Sequence, residues 1–186
     1  MNRIVLASQS PRRKQLLEWA ELPFDVMVSD AAEDFPPGLP PEDVAVFIAR
    51  NKAKAVQPMV GNRTVVAADT LVVLGEHILG KPVHREDAVS MLLALSGEKH
   101  RVITGVVIRR GEREVAFADI TDVEFHELTV AEIEFYVDKY KPYDKAGAYA
   151  IQEWIGVVGI KSVRGDFYNV MGLPVSRLLR ELERFG

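Results

Sequence analysis

The chain has 186 residues, 48% hydrophobic and 27% charged, with a formal net charge of −4. This composition is typical of a globular protein and argues against a general nucleic-acid binder, whose surface is usually basic. Because cysteine is absent, disulfides and thiolate metal sites are excluded. The apolar runs are too short for a signal peptide or for the roughly 20 residues of a membrane span, so we expect a cytoplasmic protein with no membrane or stable nucleic-acid partner.

The N-terminal half predicts a β-α-β start followed by a helix and a long apolar strand. Apolar periodicity and turn residues place these elements: strands over 3–7, 24–28 and 64–74, and helices over 11–20 and 41–56. A loop rich in proline and acidic residues precedes the second helix. Alternating strands and helices predict an α/β protein.

The start of the first helix carries an unusual charge pattern. Ser10 is a good N-cap and Pro11 suits the first helical position. Arg12, Arg13 and Lys14 follow at once, although each cation near a helix N-terminus costs about 0.3 to 1 kcal/mol. The arginine pair could be solvated charge, but the pattern favours an anion bound at the helix end.

The C-terminal half continues the alternation. We expect a helix over 85–95, a hairpin of strands over 100–109 and 114–125, and a helix ending near residue 140. A separate segment over 147–152, a glycine-rich looped region to Asp166 and a closing helix over 174–185 follow. Thr129 and Glu132 form a capping box for the helix that ends near residue 140. No linker divides the chain, so we predict a single domain over 1–186 with two lobes.

Two ionisable residues lie in apolar surroundings. Asp69 interrupts the apolar strand over 64–74, where a carboxylate needs a charged partner or a metal; a local hydrogen bond to Thr70 is an equally good interpretation. Lys52 lies at the edge of an apolar stripe that includes Val44, Phe47, Ile48 and Ala55. A lysine that extends to solvent along that stripe is the alternative to a functional role.

The stretch GEHILGKP, residues 75–82, matches most of the phosphate-binding loop pattern of nucleoside triphosphatases, but its last position excludes that interpretation. Pro82 stands where the hydroxyl residue of G-x-x-x-x-G-K-[ST] belongs, and no helix follows at once. Lys81 stays a candidate cation. The four histidines lack the spacing of a zinc site.

The candidate residues therefore combine cations for a polyphosphate with carboxylates for a hard divalent metal. They are Arg12, Arg13, Lys52 and Lys81, with Glu33 and Asp69. This combination predicts phosphate chemistry on a nucleotide.

Several segments in register resemble the Maf family of nucleoside triphosphate pyrophosphatases. They are LASQSPRRKQLL, ARNKAKAV, VVAADTLVVLGEHILGKP, SGEKHRVITGVVI and DKAGAYAIQ. The resemblance implies a fold similar to inosine triphosphate pyrophosphatases, an elongated mixed sheet flanked by helices with substrate in a cleft between two lobes. It also implies hydrolysis between the α- and β-phosphates, and it leaves a homodimer open.

The resemblance assigns roles to individual residues. The triphosphate would contact five side chains: Ser8, Arg12, Arg13, Lys52 and Lys81. The general base would be Asp69, with Lys52 and Lys81 counted in the catalytic set and Thr70 among the substrate-binding residues. Glu33 and Asp69 would hold Mg²⁺ or Mn²⁺, with Asp34 as the alternative to Glu33.

The segment AYAIQ, residues 148–152, is similar to the branch of the family that acts on dTTP and UTP. Gln152 would read the base, because thymine and uracil present an N3–H donor beside two acceptors that an amide can match. Backbone hydrogen bonding at a strand end is the alternative for Gln152. Glu153 departs from the family pattern, which often has glycine there.

Two other functions stay open at this point. One is a pyrophosphatase for another nucleotide, modified or methylated. The other is a nucleotide-binding regulator of cell division, which has no need of a buried general base such as Asp69.

Overall fold

The computed structural model describes residues 3–28 and 30–186. Within these residues the α-helices are Pro11–Trp19 (α1), Pro41–Val60 (α2), Arg85–Leu95 (α3), Val130–Tyr140 (α4), Trp154–Gly159 (α5), Phe167–Met171 (α6) and Val175–Phe185 (α7). The strands are Ile4–Leu6 (β1), Phe24–Val26 (β2), Val65–Leu74 (β3), His77–Leu79 (β4), Lys99–Arg110 (β5), Arg113–Phe125 (β6) and Ile160–Arg164 (β7). The predicted α/β class is confirmed.

The strands form one mixed sheet in the order β2-β1-β3-β5-β6-β7, with β4 paired to β3. β1 runs parallel to both β2 and β3, so the predicted β-α-β start is confirmed. β3 and β4 are antiparallel, as are β6 and β7. The stretch 75–82 is thus the turn and second strand of a hairpin, and the next helix begins only at Arg85, which agrees with its rejection as a phosphate loop.

The chain divides into two compact units. The first contains the described residues up to Thr70 with Thr104–Asp119 and Gly172–Gly186. The second contains Leu71–Ile103 and Ile120–Met171.

The first unit has a core of small and β-branched side chains from β1, α2, β3 and β5. Its members are Val5, Ala7, Ala49, Ala53, Val56, Val65, Ala67 and Val107, each at most 3% exposed. A Cβ on Gly105 of β5 would lie 2.3 Å from the backbone of Ala45 in α2. Only glycine allows this close approach, which holds α2, and with it Lys52, against the sheet.

In the second unit α3 packs against α4 and against a short 3₁₀ turn at Ala146–Ala148. The α4 side chains Ile133, Tyr136 and Val137 are fully buried. The predicted capping box is confirmed, because Thr129 and Glu132 exchange side-chain to backbone bonds at the start of α4.

Three details of the sequence interpretation differ from the structure. Ala55 is exposed, so the apolar stripe of α2 runs through Val44 and Ile48 without it. The region before Asp166 is not all loop, since it contains α5 and β7. α2 also extends to Val60, beyond the predicted residue 56, and it includes Pro58.

Candidate functional site

The N-terminus of α1 begins as predicted, with Ser10 as N-cap and Pro11 in the first turn. The Ser10 hydroxyl accepts a hydrogen bond from the Arg13 N–H at 3.4 Å. Lys14 lies in solvent and faces Glu18 one turn later, with an N–O distance of 3.9 Å. Arg12 is half-buried. The charges in this turn therefore have different surroundings, since Arg13 is buried, Arg12 is half-buried and Lys14 is exposed.

Arg13 is buried, with 8% of its surface exposed, and it binds oxygens of the first unit. Its Nε donates to the Gly172 carbonyl at 2.8 Å, its Nη1 to Ser8 Oγ at 3.2 Å and its Nη2 to Thr70 Oγ1 at 2.9 Å. A guanidinium has five N–H donors in a rigid fork. Arg13 is thus held in one orientation by protein oxygens.

Burial and three charged groups set the electrostatics around Arg13. Burial lowers the pKa of its guanidinium, the Asp69 carboxylate raises that pKa, the neighbouring Arg12 lowers it and Glu33 raises it. The sequence predicts all three charged residues as members of the site, and each is close enough to Arg13 to act on its charge.

Thr70 of β3 joins Arg13 to Thr104 of β5. Its hydroxyl lies 3.0 Å from the hydroxyl of Thr104 and donates to the Gly172 carbonyl at 3.4 Å. Thr104 is completely buried on β5. Sequence reasoning missed both Thr104 and Gly172, because neither lies near Arg13 or Thr70 in the chain and neither carries a local signal.

Asp69 has the charged partner that its apolar strand requires. The Lys52 ammonium donates to Asp69 Oδ1 at 2.7 Å and lies 2.8 Å from Glu33 Oε1. The Lys52 and Asp69 side chains are 18% and 14% exposed, whereas Glu33 is 56% exposed. Lys52 therefore pairs with carboxylates, and the interpretation of a lysine that merely extends to solvent is not supported.

The donor set of Glu33 and Asp69 fits a hard divalent cation. Magnesium is usually held by one or two carboxylates while substrate phosphates and water supply the other oxygens. Both carboxylates here reach the same ammonium nitrogen, so their oxygens converge. In the part of the chain that the structure describes, no group of three or more His, Cys, Asp or Glu is placed to hold a metal by itself. The arrangement suits a metal that enters with a phosphate ligand.

Lys81 and Gln152 belong to the second unit, and both side chains are exposed. The segments that carry them are joined by a backbone bond, in which the Gly147 N–H donates to the Gly80 carbonyl at 3.1 Å. Gln152 follows the 3₁₀ turn within a loop, so it does not end a strand. Its part in base recognition and the part of Lys81 in phosphate binding stay predictions.

The first unit thus combines a carboxylate that can accept a proton, an ammonium beside it and two arginines at a helix N-terminus. Asp69 and Thr70 are consecutive in the middle of β3, so this strand presents the Lys52–Asp69 pair and the Arg13 cluster side by side. Cations in such an arrangement bind phosphate oxygens, and the carboxylate can activate a nucleophile.

Comparison with known proteins agrees with this chemistry. Residues 3–185 match the family model of the Maf-like proteins. A dTTP/UTP pyrophosphatase of Cytophaga hutchinsonii is 49% identical over 97% of this chain and 83% of its own. A dTTP/UTP pyrophosphatase of Bacillus cereus is 45% identical over 100% and 96%, respectively.

Among solved structures, the Staphylococcus aureus Ham1 protein shares the fold. The TM-score is 0.56 at 17% sequence identity, and the match covers 100% of both chains. None of the helices in residues 3–28 and 30–186 has the length and apolar character that crossing a membrane requires.

Proposed function

The chain belongs to the family of Maf-like proteins, and from this premise we propose that it is a nucleoside triphosphate pyrophosphatase that hydrolyses dTTP and UTP. The products are the nucleoside monophosphate and pyrophosphate. The two relatives from Cytophaga hutchinsonii and Bacillus cereus are named dTTP/UTP pyrophosphatases. They are 49% and 45% identical to this chain over nearly its whole length. The observation that carries the proposal is the Lys52–Asp69 pair on β3, beside the Arg13 cluster.

Asp69 is the general base of the proposed reaction. Its carboxylate accepts a proton from a water molecule, and the resulting oxygen attacks the α-phosphorus in line with the leaving pyrophosphate. Lys52, already 2.7 Å from Asp69, provides positive charge where negative charge develops on the phosphate oxygens. Positioning and charge stabilisation supply most of the rate in reactions of this type.

Arg12, Arg13, Ser8 and Thr70 bind the triphosphate in this proposal. The helix N-terminus presents backbone N–H groups and a positive dipole end to an anion. Ser8 and Thr70 hold Arg13 in a fixed orientation before the substrate arrives, which reduces the entropy lost on binding. Lys81 contributes a further cation.

A divalent ion, Mg²⁺ or Mn²⁺, would be held by Glu33 and Asp69 and would neutralise phosphate charge and make water more acidic. Asp34 is also exposed, but Glu33 is the carboxylate that lies against Lys52. This contact supports Glu33 as the ligand.

Gln152 reads the base in the proposed function. Its amide offers one acceptor and two donors to the N3–H and carbonyl groups of thymine or uracil. Cytosine presents an unprotonated N3 and an amino group, so it leaves the amide mispaired. The cytoplasm, which holds the nucleotide pools, is the proposed compartment.

The test is a panel of nucleoside triphosphates with Mg²⁺ or Mn²⁺, assayed for pyrophosphate. We expect dTTP and UTP to be hydrolysed much faster than CTP and GTP. Asp69→Asn should lower turnover by about 10²- to 10⁴-fold, because the amide cannot accept the proton. Asp30→Asn, an exposed change of the same kind, is the control.

Three results would contradict the proposal. Near-normal turnover by a folded Asp69→Asn variant would show that Asp69 is not the general base. Tight nucleotide binding by the wild-type protein without any pyrophosphate release would favour a nucleotide-binding regulator, and preference for a modified nucleotide would favour a different substrate.

A further inference from the structure

The loop over 145–153, which carries Gln152, has an unusual backbone. Gly147 has a φ of 69° and the next residue, Ala148, has a φ of 60°. Glycine adopts this left-handed region freely, but for alanine it costs roughly 1 to 2 kcal/mol. A Cβ on Gly147 would lie 2.9 Å from the Val72 side chain. Contacts elsewhere in the loop must therefore stabilise this conformation.

Glu153 connects the two ends of this loop. Its Oε1 lies 3.6 Å from the ammonium of Lys145, at the first position of the loop. The Lys145 side chain is 10% exposed and that of Glu153 is 23% exposed. Attraction between charges in this partly buried setting is stronger than between solvated side chains.

Tyr136 of α4 links Glu153 to the middle of the loop. Its hydroxyl donates to Glu153 Oε2 in a short hydrogen bond and accepts the backbone N–H of Ala150 at 3.1 Å. The Tyr136 side chain is fully buried. One hydroxyl thus satisfies a buried backbone donor two residues before Gln152 and a carboxylate one residue after it.

Glu153 does not use its carboxylate in the way that its position in the chain would suggest. It is the N-cap residue of α5, yet its side chain makes no capping bond to that helix. The carboxylate contacts Tyr136 and Lys145 instead. Glu153 therefore stabilises the loop that precedes α5 and not the start of α5 itself.

We infer that Glu153 is a positioning residue for base selection. The inference rests on the proposed role of Gln152. Through Tyr136 and Lys145, Glu153 fixes the loop on both sides of the exposed Gln152 amide, so that the amide meets the base in one orientation. A fixed amide discriminates between thymine and cytosine, whereas one that can reorient pairs with either base.

The experiment compares the ratio of kcat/KM for dTTP to kcat/KM for CTP in the wild-type protein and in variants. Glu153→Ala should lower this ratio at least about tenfold, since small misplacements of a positioned group have effects of this size. The loss with dTTP should appear in KM more than in kcat, because base binding is disturbed and not the chemical step.

Three further variants separate positioning from folding. Glu153→Gln keeps an oxygen that accepts the Tyr136 bond and should restore most of the preference. Tyr136→Phe removes that bond while Glu153 stays, and it should lower the ratio in the same direction. Glu98→Ala removes an exposed carboxylate of the same unit and should leave the ratio unchanged. Thermal unfolding identifies variants that fold.

The outcomes distinguish this inference from the proposed function. A folded Glu153→Ala or Tyr136→Phe protein with the wild-type ratio overturns the inference and leaves the proposed substrate standing. A wild-type protein without preference for dTTP overturns the proposed substrate, and the inference with it. If Glu153→Ala does not fold, the dTTP to CTP ratios of Tyr136→Phe and Glu153→Gln test the inference in its place.

Discussion

Arg12 and Arg13 are neighbours in sequence, but the structure predicts different consequences when each is replaced by alanine. Arg13 is 8% exposed and donates three hydrogen bonds, at 2.8, 3.2 and 2.9 Å. Hydrogen bonds made by a charged group contribute roughly 1.5 kcal/mol net each, and burial of the charge offsets part of that gain. Arg13→Ala should therefore lower the free energy of unfolding by about 2 to 4 kcal/mol. In a chain of this length the melting temperature should fall by roughly 4 to 16 °C.

Arg12→Ala should behave differently. Arg12 is half-buried at a helix N-terminus, where removing a cation relieves about 0.3 to 1 kcal/mol of unfavourable dipole interaction. We expect stability within about 0.5 kcal/mol of the wild type or slightly above it. Both variants should bind triphosphate more weakly by about 1.5 to 3 kcal/mol, the scale of a charge-assisted hydrogen bond.

Urea denaturation and titration with a non-hydrolysable triphosphate measure the two effects separately. Arg13→Lys serves as a control, since it keeps the charge but cannot reproduce the planar fork of donors, and it should also lose stability. Equal stability of Arg13→Ala and the wild type would refute the claim that Arg13 is held by protein oxygens. Unchanged triphosphate affinity in both alanine variants would refute the assignment of an anion site.

Three further predictions concern other parts of the chain. Gly147→Ala should lower the free energy of unfolding by at least about 1 kcal/mol in urea, because its φ is 69° and its Cβ meets Val72. Burial lowers the pKa of His100 to about 4, so as the pH falls the unfolded state binds a proton on this histidine before the folded state does. The free energy of unfolding should therefore fall by up to about 3 kcal/mol between pH of about 6.5 and 4. His100→Gln should flatten that pH dependence. Glu33→Gln should raise the Mg²⁺ concentration for half-maximal activity at least about tenfold, whereas Asp34→Asn should not.

Elements stabilised by nearby residues could be predicted from the sequence. The capping box of Thr129 and Glu132 involves side chains three residues apart, and it forms as expected. The hairpin of β5 and β6 turns at Gly111, whose φ of 59° suits a tight turn. Both signals are complete within a few positions of the chain.

Short elements stabilised by distant partners could not be predicted. α5 and β7 together cover eleven residues, and glycines at 156, 159 and 165 indicate a loop. β7 forms because it pairs with β6 some forty positions earlier, for example Val163 with Val123. Local propensity contains no information about such a partner.

The candidate site shows the same division. The sequence favours equally a charged partner or metal for Asp69 and a local hydrogen bond to Thr70. The Lys52 ammonium, 2.7 Å from the Asp69 carboxylate, shows that the partner is charged. The charge pattern at the start of α1 predicts an anion, yet the first oxygens bound by Arg13 belong to the protein itself, including the carbonyl of Gly172, 159 positions away. Tertiary structure alone shows that Arg13 has this second role.

The position at which water attacks tests the central claim most directly. Hydrolysis of dTTP in H₂¹⁸O, followed by mass spectrometry of the products, should place one ¹⁸O atom in the monophosphate and none in the pyrophosphate, as attack at the α-phosphorus requires. The label in pyrophosphate or in orthophosphate, or release of a nucleoside diphosphate, would contradict the account.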